Sequence, residues 1–581
     1  MPCVLRPCPR PACALCARAA QRSIASAASR SACRRWRVLL RVQIARQRCC
    51  AVRVGWVTRQ LRGSSYIPLP PAVVLLVSLL ILPITLKTFL LLWHKPKKTE
   101  RFFFDQGLLG PPYRFLLGNL TEMVSLMLAA SSKPITPPFS HNILPRVLSF
   151  YNHWNKTYGS TFLFWFGPTP RLAVADPELI REIFITKAEF FDRYESHPLI
   201  RQLEGEGLVN LSGHQWALHR KLISPVFHID NLKMLMASVG ETMVGILEKV
   251  AATAAANGGE GGVEVDVAEL YHSMTEEAVT RSTFGRSSFD DGKVVFQLQT
   301  KLMAFAAEAF NRVFIPGYRF LPTVRNRIRW KLDREIKEKL LKLVSCRKEA
   351  AAAGEAKYLL RQMSSPAAAG ISHSDIVEEC KTFFFAGKQT TTNLLTWTTV
   401  LLAMHPEWQD RAREELRRVC GACDLPSMAD LPNLKTLGMI VNETLRLYPP
   451  AVATIRRAKA DVELGGYRVP RGTEILVPII AVHHDAGLWG PDAERFNPAR
   501  FAYGASRAAR HPNAFMPFGL GERTCIGRGL AVLEAKMGLA AVLRRFKIRV
   551  SSNYVHAPTV LMMLYPQYGA PVIFSRICED R

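Results

Sequence analysis

One cysteine-containing segment near the C-terminus constrains this chain more than any other part of its sequence. It runs Phe518-Gly-Leu-Gly-Glu-Arg-Thr-Cys-Ile-Gly527, which has the form F-x-x-G-x-R-x-C-x-G, and an apolar helix is predicted to follow it. The positive end of that helix and the neighbouring Arg523 would both favour the thiolate of Cys525 over its thiol. A thiolate held on a rigid loop is what an axial haem ligand requires. The alternative interpretation is a buried structural cysteine.

A long predicted helix contains a second unusual segment. The pattern Ser372-x-x-Asp375 is typical of a helix N-terminus. From there the helix is expected to run for about 45 Å, as far as Met404. In its middle stands Ala386-Gly-Lys-Gln-Thr-Thr-Thr392, whose glycine and threonines are weak helix formers. This weakness predicts a local widening where a ligand approaches the backbone, and the alternative is a tolerated patch in a core helix.

Three shorter patterns accompany these two segments in order along the chain. They are Trp216-x-x-x-Arg220 before the long helix, and Glu443-x-x-Arg446 and Pro498-x-Arg500-Phe501 between that helix and the cysteine loop. Together the five segments resemble the cytochrome P-450 family, over about residues 100–581. The resemblance implies a mainly α fold with a minor β part, and haem b bound between the long helix and the helix after Cys525. It also implies insertion of one atom of molecular oxygen into a C–H bond, with electrons from NADPH-cytochrome P-450 reductase.

The resemblance implies roles for individual side chains. Cys525 would be the axial thiolate ligand of the haem iron, and Thr390 would hydrogen-bond dioxygen and help to deliver protons. Contacts with the haem are expected from Trp216, Arg220, Arg456, Arg523 and Phe518. A buried structural triad is expected from Glu443, Arg446 and Arg500, the alternative being a surface ion pair between the first two.

Gln389 departs from the usual family pattern and is a second candidate catalytic residue. Most monooxygenases of the family carry Asp or Glu directly before the threonine that corresponds to Thr390. An amide can orient water but cannot transfer a proton by ionising. Either solvent supplies the proton through Thr390, or turnover is slow, or the reaction needs no such delivery.

The expected substrate is hydrophobic, because the residues that the resemblance places in the pocket are apolar with a few hydroxyls. These residues are Phe385, Ala386, Val452, Ala453, Thr454 and Thr559. Residues 383–397, 453–458 and 556–561 resemble the plant subfamily that inactivates brassinosteroids by hydroxylating carbon C-26, and Gln389 is similar to that subfamily too. The main hypothesis is therefore a steroid hydroxylase of this kind.

Three other functions stay open. The first is a related plant monooxygenase that acts on gibberellins, other terpenoids or fatty acids. A haem-thiolate isomerase or dehydratase would need no external electrons, but such members usually lack the residue equivalent to Thr390. The third is a non-catalytic haem-binding membrane protein.

The first 112 residues of the chain predict a membrane anchor. Residues 1–60 contain thirteen Arg and no Lys, Asp or Glu, and could be a gene-model artefact, a real extension or an organellar transit peptide. Residues 61–93 are expected to hold one transmembrane helix, since 67–93 are apolar apart from one lysine and would span about 40 Å. A signal peptide is the competing interpretation. A basic, proline-rich hinge over 94–112 and a haem-thiolate domain over 113–581 complete the predicted organisation.

Charge and cysteine usage fit this arrangement. The lysines and arginines at 95–101 place the downstream side in the cytosol, which predicts a single-pass protein of the endoplasmic reticulum with a cytosolic catalytic domain. Thirteen of the +28 net charges lie in the leader, so the remainder suits an acidic redox partner or anionic lipid and does not indicate nucleic acid. Outside the leader the cysteines are sparse, which fits a reducing compartment, and Cys420-x-x-Cys423 is interpreted as a surface loop.

Overall fold

The computed structural model describes residues 71–256, 262–284, 289–307, 320–352, 363 and 370–577. The predicted leader and residues 61–70 of the predicted anchor lie outside these residues. The described chain divides into two units between Leu86 and Lys87. The first unit is described only in its last part, which is helical.

The helices, numbered in chain order, are α1 (Pro71–Phe89), α2 (Lys95–Phe104), α3 (Leu120–Ser131), α4 (Leu144–Val147), α5 (Ser149–Tyr158), α6 (Pro177–Arg181), α7 (Pro198–Glu204), α8 (Gly213–Ile223), α9 (Ile229–Ala256), α10 (Val267–Phe284), α11 (Phe289–Ala307), α12 (Val324–Ala352), α13 (His373–Met404), α14 (Pro406–Cys420), α15 (Lys435–Leu447), α16 (Ile479–His484), α17 (Ala486–Trp489) and α18 (Arg528–Arg545). Short π and 3₁₀ turns connect several of them.

The strands are β1 (Thr161–Phe166), β2 (Thr169–Val174), β3 (Phe191–Arg193), β4 (Val263–Asp266), β5 (Thr454–Ala458), β6 (Val462–Leu464), β7 (Tyr467–Val469), β8 (Glu474–Val477), β9 (Phe546–Val550), β10 (Pro558–Leu561), β11 (Met563–Pro566) and β12 (Pro571–Arg576). The largest sheet has the order β1-β2-β8-β5-β3, and only β2 and β8 pair in parallel within it. This confirms a mainly α fold with a minor β part.

One helical stretch, Ser78–Phe104, is long and apolar enough to cross a membrane, with 27 residues and a mean hydropathy of 1.3. No other helix in the described parts of the chain meets that test. Its leucines at 79, 80 and 82 are exposed, which suits contact with lipid tails. The sequence predicts that the anchor ends at residue 93 and that a hinge follows over 94–112. In the structure the chain remains helical through α2, as far as Phe104. Phe103 and Tyr113 are buried in the core of the second unit, so only 105–112 form a non-helical connection.

Helix α13 crosses the second unit and carries much of its core. Ser372 and Asp375 form the predicted capping box, and the helix ends before Pro406, as expected. Its second half is buried on every side, with Trp397 and Leu401 fully enclosed. Gly538 of α18 packs against Leu395, where an added Cβ would lie 3.2 Å from the leucine side chain. Helices α13 and α18 therefore pack closely beside each other.

The predicted widening in the middle of α13 is absent, since His373–Met404 are α-helical throughout. Two of the threonines find partners that fit a helix. Thr390 Oγ1 donates to the carbonyl four residues earlier, Ala386 O, at 2.7 Å, and Thr392 Oγ1 lies 2.7 Å from Thr275 Oγ1 of α10. Gly387 has a packing reason. A Cβ there would lie 2.9 Å from Cγ2 of Val279 on α10, so the glycine permits the close approach of α10.

A buried hydrogen-bond chain lies beside α13 and makes folding sensitive to acid. His141 Nδ1 is 2.8 Å from the Tyr448 hydroxyl, which is 3.2 Å from His556 Nε2, and His556 Nδ1 is 2.7 Å from the Tyr554 hydroxyl. Burial lowers the pKa of His141 to about 3 and that of His556 to about 4. Both histidines therefore stay neutral in the folded protein at pH values where the unfolded chain binds protons.

We expect the free energy of unfolding to fall as the pH drops from about 6.5, where the unfolded histidines begin to bind protons, towards about 4. Each such histidine contributes up to about 1.4 kcal/mol per pH unit. Urea unfolding between pH 7.5 and 5 measures this slope, and His141→Gln should reduce it by about that amount. A slope unchanged by the substitution would contradict the assignment.

Candidate active site

A cavity of 430 Å³ lies between α13 and the cysteine loop, and its walls also include residues of α8, α9, α10, α18, β3 and β5. Cys525 and Phe518 of the loop both line it. The N–H of Cys525 donates to the Phe518 carbonyl at 2.9 Å, which closes the loop on itself. Gly521 has φ +69°, and a Cβ there would lie 2.0 Å from the Phe184 carbonyl oxygen. Only glycine at position 521 therefore lets the cysteine loop pack this closely against the backbone of Phe184.

The Cys525 thiol opens into the cavity, but protein surrounds its other sides. This loss of water raises its pKa, while the Gly527 N–H and the charges of Arg220 and Arg528 act to lower it. The guanidinium of Arg523, which the sequence predicts to act on the Cys525 thiolate, is bound to other groups. It donates to the Leu211 carbonyl at 3.0 Å and pairs with Asp192 at 2.9 Å. The expectation that Arg523 stabilises the thiolate is therefore wrong, because Asp192 holds this guanidinium.

Four guanidinium groups line the cavity, from Arg193, Arg220, Arg456 and Arg523. Burial and the charges of Arg523 and Arg193 lower the pKa of Arg456 to about 10. Its Nη1 bonds only to neutral groups, the Thr454 hydroxyl at 3.3 Å and the Ile455 carbonyl at 3.1 Å. The cavity wall therefore holds several positive charges close together and partly shielded from water.

This arginine cluster has more cations than anions. Glu204 pairs with Arg193 at 3.0 Å and Asp192 with Arg523, but neither Arg220 nor Arg456 has a carboxylate partner in the described part of the chain. Arg193 Nε is buried without a hydrogen-bond acceptor there. The ring of Trp216, another lining residue, lies 4.6 Å from the Arg523 guanidinium. These groups fit a ligand that brings two carboxylates, as the propionates of haem b do, with the thiol of Cys525 in the same cavity.

Helix α13 presents one face to the cavity. Ala386, Gly387, Thr390 and Thr391 all line it, and Phe383 extends the same face. These positions recur every three or four residues, as the helical period requires.

Gln389 and Phe385 fall on other faces of α13 and do not line the cavity. The structure therefore brings Thr390 to the cavity and leaves Gln389 away from it. Of the other predicted pocket residues, Thr454 lines the cavity. Val452 is buried in the core, Ala453 packs against that core, and Thr559 stands in β10, outside the cavity lining.

The structure brings the predicted triad together away from the cavity. Glu443 and Arg446 are joined by two bonds of 2.7 Å, and both are 0% exposed. Arg500 Nε lies 3.5 Å from a Glu443 oxygen, and Arg446 also donates to the His483 and Ala493 carbonyls.

Several lining residues have no counterpart among the predicted ones. They are Arg193, Leu208, Phe227, Val279, Thr283, Thr391 and Glu534. Glu534 carries a visible sequence signal, because it is a single carboxyl group within the apolar helix that follows Cys525. Thr391 belongs to the segment Ala386–Thr392, and the others lie in β3, in α10 and in the connections on either side of α8, where no motif marks the inward face.

The chain is similar to known proteins along most of its length. Residues 142–568 match the family described as Cytochrome P450. Cytochrome P-450 734A6 of Oryza sativa subsp. japonica is 61% identical over 509 residues, which cover 84% of this chain and 94% of the relative. Cytochrome P-450 734A1 of Arabidopsis thaliana is 56% identical over 512 residues, covering 87% and 97%. Cytochrome P-450 72A15, also from Arabidopsis thaliana, is 39% identical over 501 residues, covering 84% and 96%. The fold, the cysteine loop and these matches show that the chain belongs to the cytochrome P-450 family of haem-thiolate monooxygenases.

Proposed function

We propose that this monooxygenase inactivates brassinosteroids by hydroxylating carbon C-26 of the side chain. As a member of its family, the protein binds haem b through a cysteine thiolate and uses molecular oxygen, a hydrophobic substrate and electrons from a redox partner. The observation that carries the substrate assignment is the resemblance of residues 383–397, 453–458 and 556–561 to the brassinosteroid-inactivating subfamily. The cavity supports it, because its walls are mainly apolar with the hydroxyls of Thr283, Thr382 and Thr390.

Each side chain at the cavity has a proposed task. The Cys525 thiolate would bind the iron, and haem supplies the chemistry of oxygen insertion when it is bound. Trp216, Arg220, Arg456 and Arg523 would hold the propionates by charge-assisted hydrogen bonds, and the Phe518 carbonyl accepts the Cys525 N–H and so closes the cysteine loop. Leu208, Phe227 and Val279 are among the side chains that exclude water and orient a steroid. While Thr390 Oγ1 donates to Ala386 O, its lone pairs can accept a hydrogen bond from water, so the hydroxyl can position a water molecule that carries protons into the cavity.

Arg456→Leu is expected to weaken haem retention by about tenfold to a hundredfold, because a charged hydrogen-bond donor is worth about 1.5–3 kcal/mol. Haem per chain after gel filtration measures this loss. Arg457→Leu is the matched control, since it is the next residue of β5 and its side chain is 46% exposed. Equal retention in both variants would contradict a propionate role for Arg456.

Thr390→Ala is expected to keep the haem but to lower the product formed per NADPH by about tenfold or more, because a proton-transfer group is lost. NADPH consumption, product and hydrogen peroxide are measured together. Thr398→Ala is the control, since Thr398 makes the same bond to the carbonyl four residues earlier, at 2.7 Å, without lining the cavity. Full coupling in Thr390→Ala would refute this role.

The proposed location is the endoplasmic reticulum membrane, crossed once, with the catalytic domain in the cytosol and NADPH-cytochrome P-450 reductase as the electron donor. In this organisation residues 61–93 form the anchor and 113–581 the haem domain. The apolar stretch at 78–104 and the basic residues at 95–101 support it. Protease digestion of sealed microsomes should remove the catalytic domain, and full protection would contradict the cytosolic orientation.

The substrate test uses the full chain reconstituted with NADPH-cytochrome P-450 reductase. Castasterone, a gibberellin and an eighteen-carbon fatty acid are supplied separately, and the position of the added oxygen is determined. The proposal expects castasterone to give a C-26 alcohol as the main product. Turnover of only the gibberellin or the fatty acid would replace the substrate and keep the enzyme class.

A further inference from the structure

The described cysteines include one closely spaced pair that the haem site does not use. Cys420 is the last residue of α14, and Cys423 follows it after Gly421 and Ala422. Both thiols are free, and neither cysteine lines the cavity. The sequence predicts a surface loop here, but the structure places only Cys423 on the surface. Cys420 packs into the core and is 8% exposed.

The backbone brings these two cysteines together. The N–H of Cys423 donates to the Cys420 carbonyl at 3.1 Å, which closes a turn directly after the helix. Gly421 has φ +56°, the left-handed conformation that commonly ends a helix, and so lets the chain reverse after Cys420. In a turn of this kind the first and fourth Cα atoms lie within about 7 Å of each other, a separation that a disulfide bond can span.

Contacts with α18 hold the loop that contains this turn. Asp424, the residue after Cys423, pairs with Arg545 at 2.7 Å. Further along the same loop, the Leu431 carbonyl accepts a hydrogen bond from Lys536 Nζ at 2.8 Å. We therefore expect a bond between the two sulfur atoms to form within the existing turn, without displacing α14.

The two thiols differ in their access to solvent. Cys423 is exposed, so a small oxidant dissolved in water can reach its sulfur atom. Cys420 is shielded, and burial raises the pKa of its thiol; the charge of Asp430 acts in the same direction, while that of Arg544 opposes it. An accessible thiol beside a second, shielded one is the arrangement in which the first reacts with an oxidant and the second completes a disulfide.

We propose that Cys420 and Cys423 form a reversible redox pair that is oxidised by a small disulfide such as oxidised glutathione. The Cys423 thiolate attacks one glutathione sulfur, the S–S bond of glutathione breaks, and one glutathione leaves as its thiolate. The Cys420 thiolate then attacks the Cys423 sulfur, forms the intramolecular disulfide and releases the second glutathione thiolate. The two protons lost by the cysteines balance the two glutathione thiolates, so the pair loses two electrons and glutathione gains them.

The pair would protect the exposed thiol of Cys423. An exposed thiol without a neighbouring thiol can be oxidised further, to sulfinic and sulfonic acids that thiol reductants do not reverse. A disulfide with Cys420 stops this progression, and a dithiol reductant returns both residues to thiols. This role goes beyond the monooxygenase reaction and requires neither haem nor a steroid.

The test uses the full chain, which is first reduced, freed of reductant and treated with oxidised glutathione, after which the remaining thiols are alkylated. Trypsin cleaves after Arg418 and Lys435 and releases residues 419–435, a peptide that holds both cysteines of the pair and no other cysteine. We expect the mass of this peptide to show the loss of two hydrogen atoms, with neither glutathione nor an alkyl group attached. Dithiothreitol should restore both thiols.

Two variants separate the steps. Cys420→Ser should retain glutathione on Cys423 at a level at least about tenfold above that of the wild type, because no second thiol displaces it. Cys423→Ser should leave Cys420 reduced, because the oxidant does not reach the buried thiol. The second variant changes only an exposed side chain, so it tests the pair even if Cys420→Ser does not fold. The carbon monoxide spectrum checks folding in each sample.

A wild-type peptide that stays reduced, or that retains glutathione to the same extent as Cys420→Ser, would overturn the inference. A disulfide that joins Cys423 residues of two chains would overturn it as well. The readout is the mass of one peptide and does not involve turnover. Failure of castasterone as a substrate would therefore reject the proposed function and leave this test intact.

Discussion

Replacing Glu443 with alanine should lower the free energy of unfolding by about 3–5 kcal/mol, the usual result of leaving a buried charge without its partner. Arg446 is 0% exposed, and two of its nitrogens donate to Glu443 at 2.7 Å. The same carboxylate accepts the Asn497 N–H at 2.9 Å and faces Arg500. Without this carboxylate, the guanidinium of Arg446 in α15 and the N–H of Asn497, which precedes the cysteine loop, would lose their acceptor.

Urea unfolding of the full chain in detergent measures this effect. The pair Glu414–Arg417 on α14 has the same i, i+3 spacing and a bond of 3.0 Å, but its side chains are 72% and 61% exposed. Glu414→Ala should therefore change stability by less than about 0.5 kcal/mol. A loss below about 1 kcal/mol for Glu443→Ala would contradict the triad as a folding element.

Cys525→Ala should leave a folded chain without bound haem and without turnover. Cys525 alone among the described cysteines lines the cavity, while Cys380 and Cys420 are buried in the core and Cys423 is on the surface. An alanine offers no axial ligand, so the arginine cluster would be left to hold the propionates by itself.

Haem per chain and product formation measure this change, with circular dichroism as the check on folding. Cys423→Ala is the matched control and should keep both haem and activity. Retention of haem and activity in Cys525→Ala would refute the ligand assignment.

The sequence predicted those parts of the site whose chemistry depends on local spacing. Cys525, Thr390, Trp216, Arg220 and Arg456 meet at one cavity, and the capping box at Ser372 begins α13 as expected. Such features depend on a short pattern of backbone and side-chain geometry, which a few neighbouring residues determine.

The sequence mispredicted the contacts of residues whose role depends on which face of a helix they occupy or on a partner distant in the chain. Gln389 directly precedes Thr390 but points away, because one residue along a helix is a rotation of about 100°. Arg523 stands two residues before Cys525, yet Asp192 of β3 holds its guanidinium. Gly387 is present because Val279 of α10 approaches it, a contact between residues 108 positions apart. The sequence did not place Glu534 in the cavity lining, because that position depends on how α18 packs beside α13.

The most direct test of the central claim is a spectroscopic titration of the full chain in membranes. The reduced sample is first exposed to carbon monoxide, and castasterone and an eighteen-carbon fatty acid are then titrated separately into the ferric sample. The account predicts a thiolate-type Soret band and a spin shift induced by castasterone. A folded protein without that band would contradict haem ligation by Cys525, and a shift produced by the fatty acid alone would contradict the proposed brassinosteroid substrate.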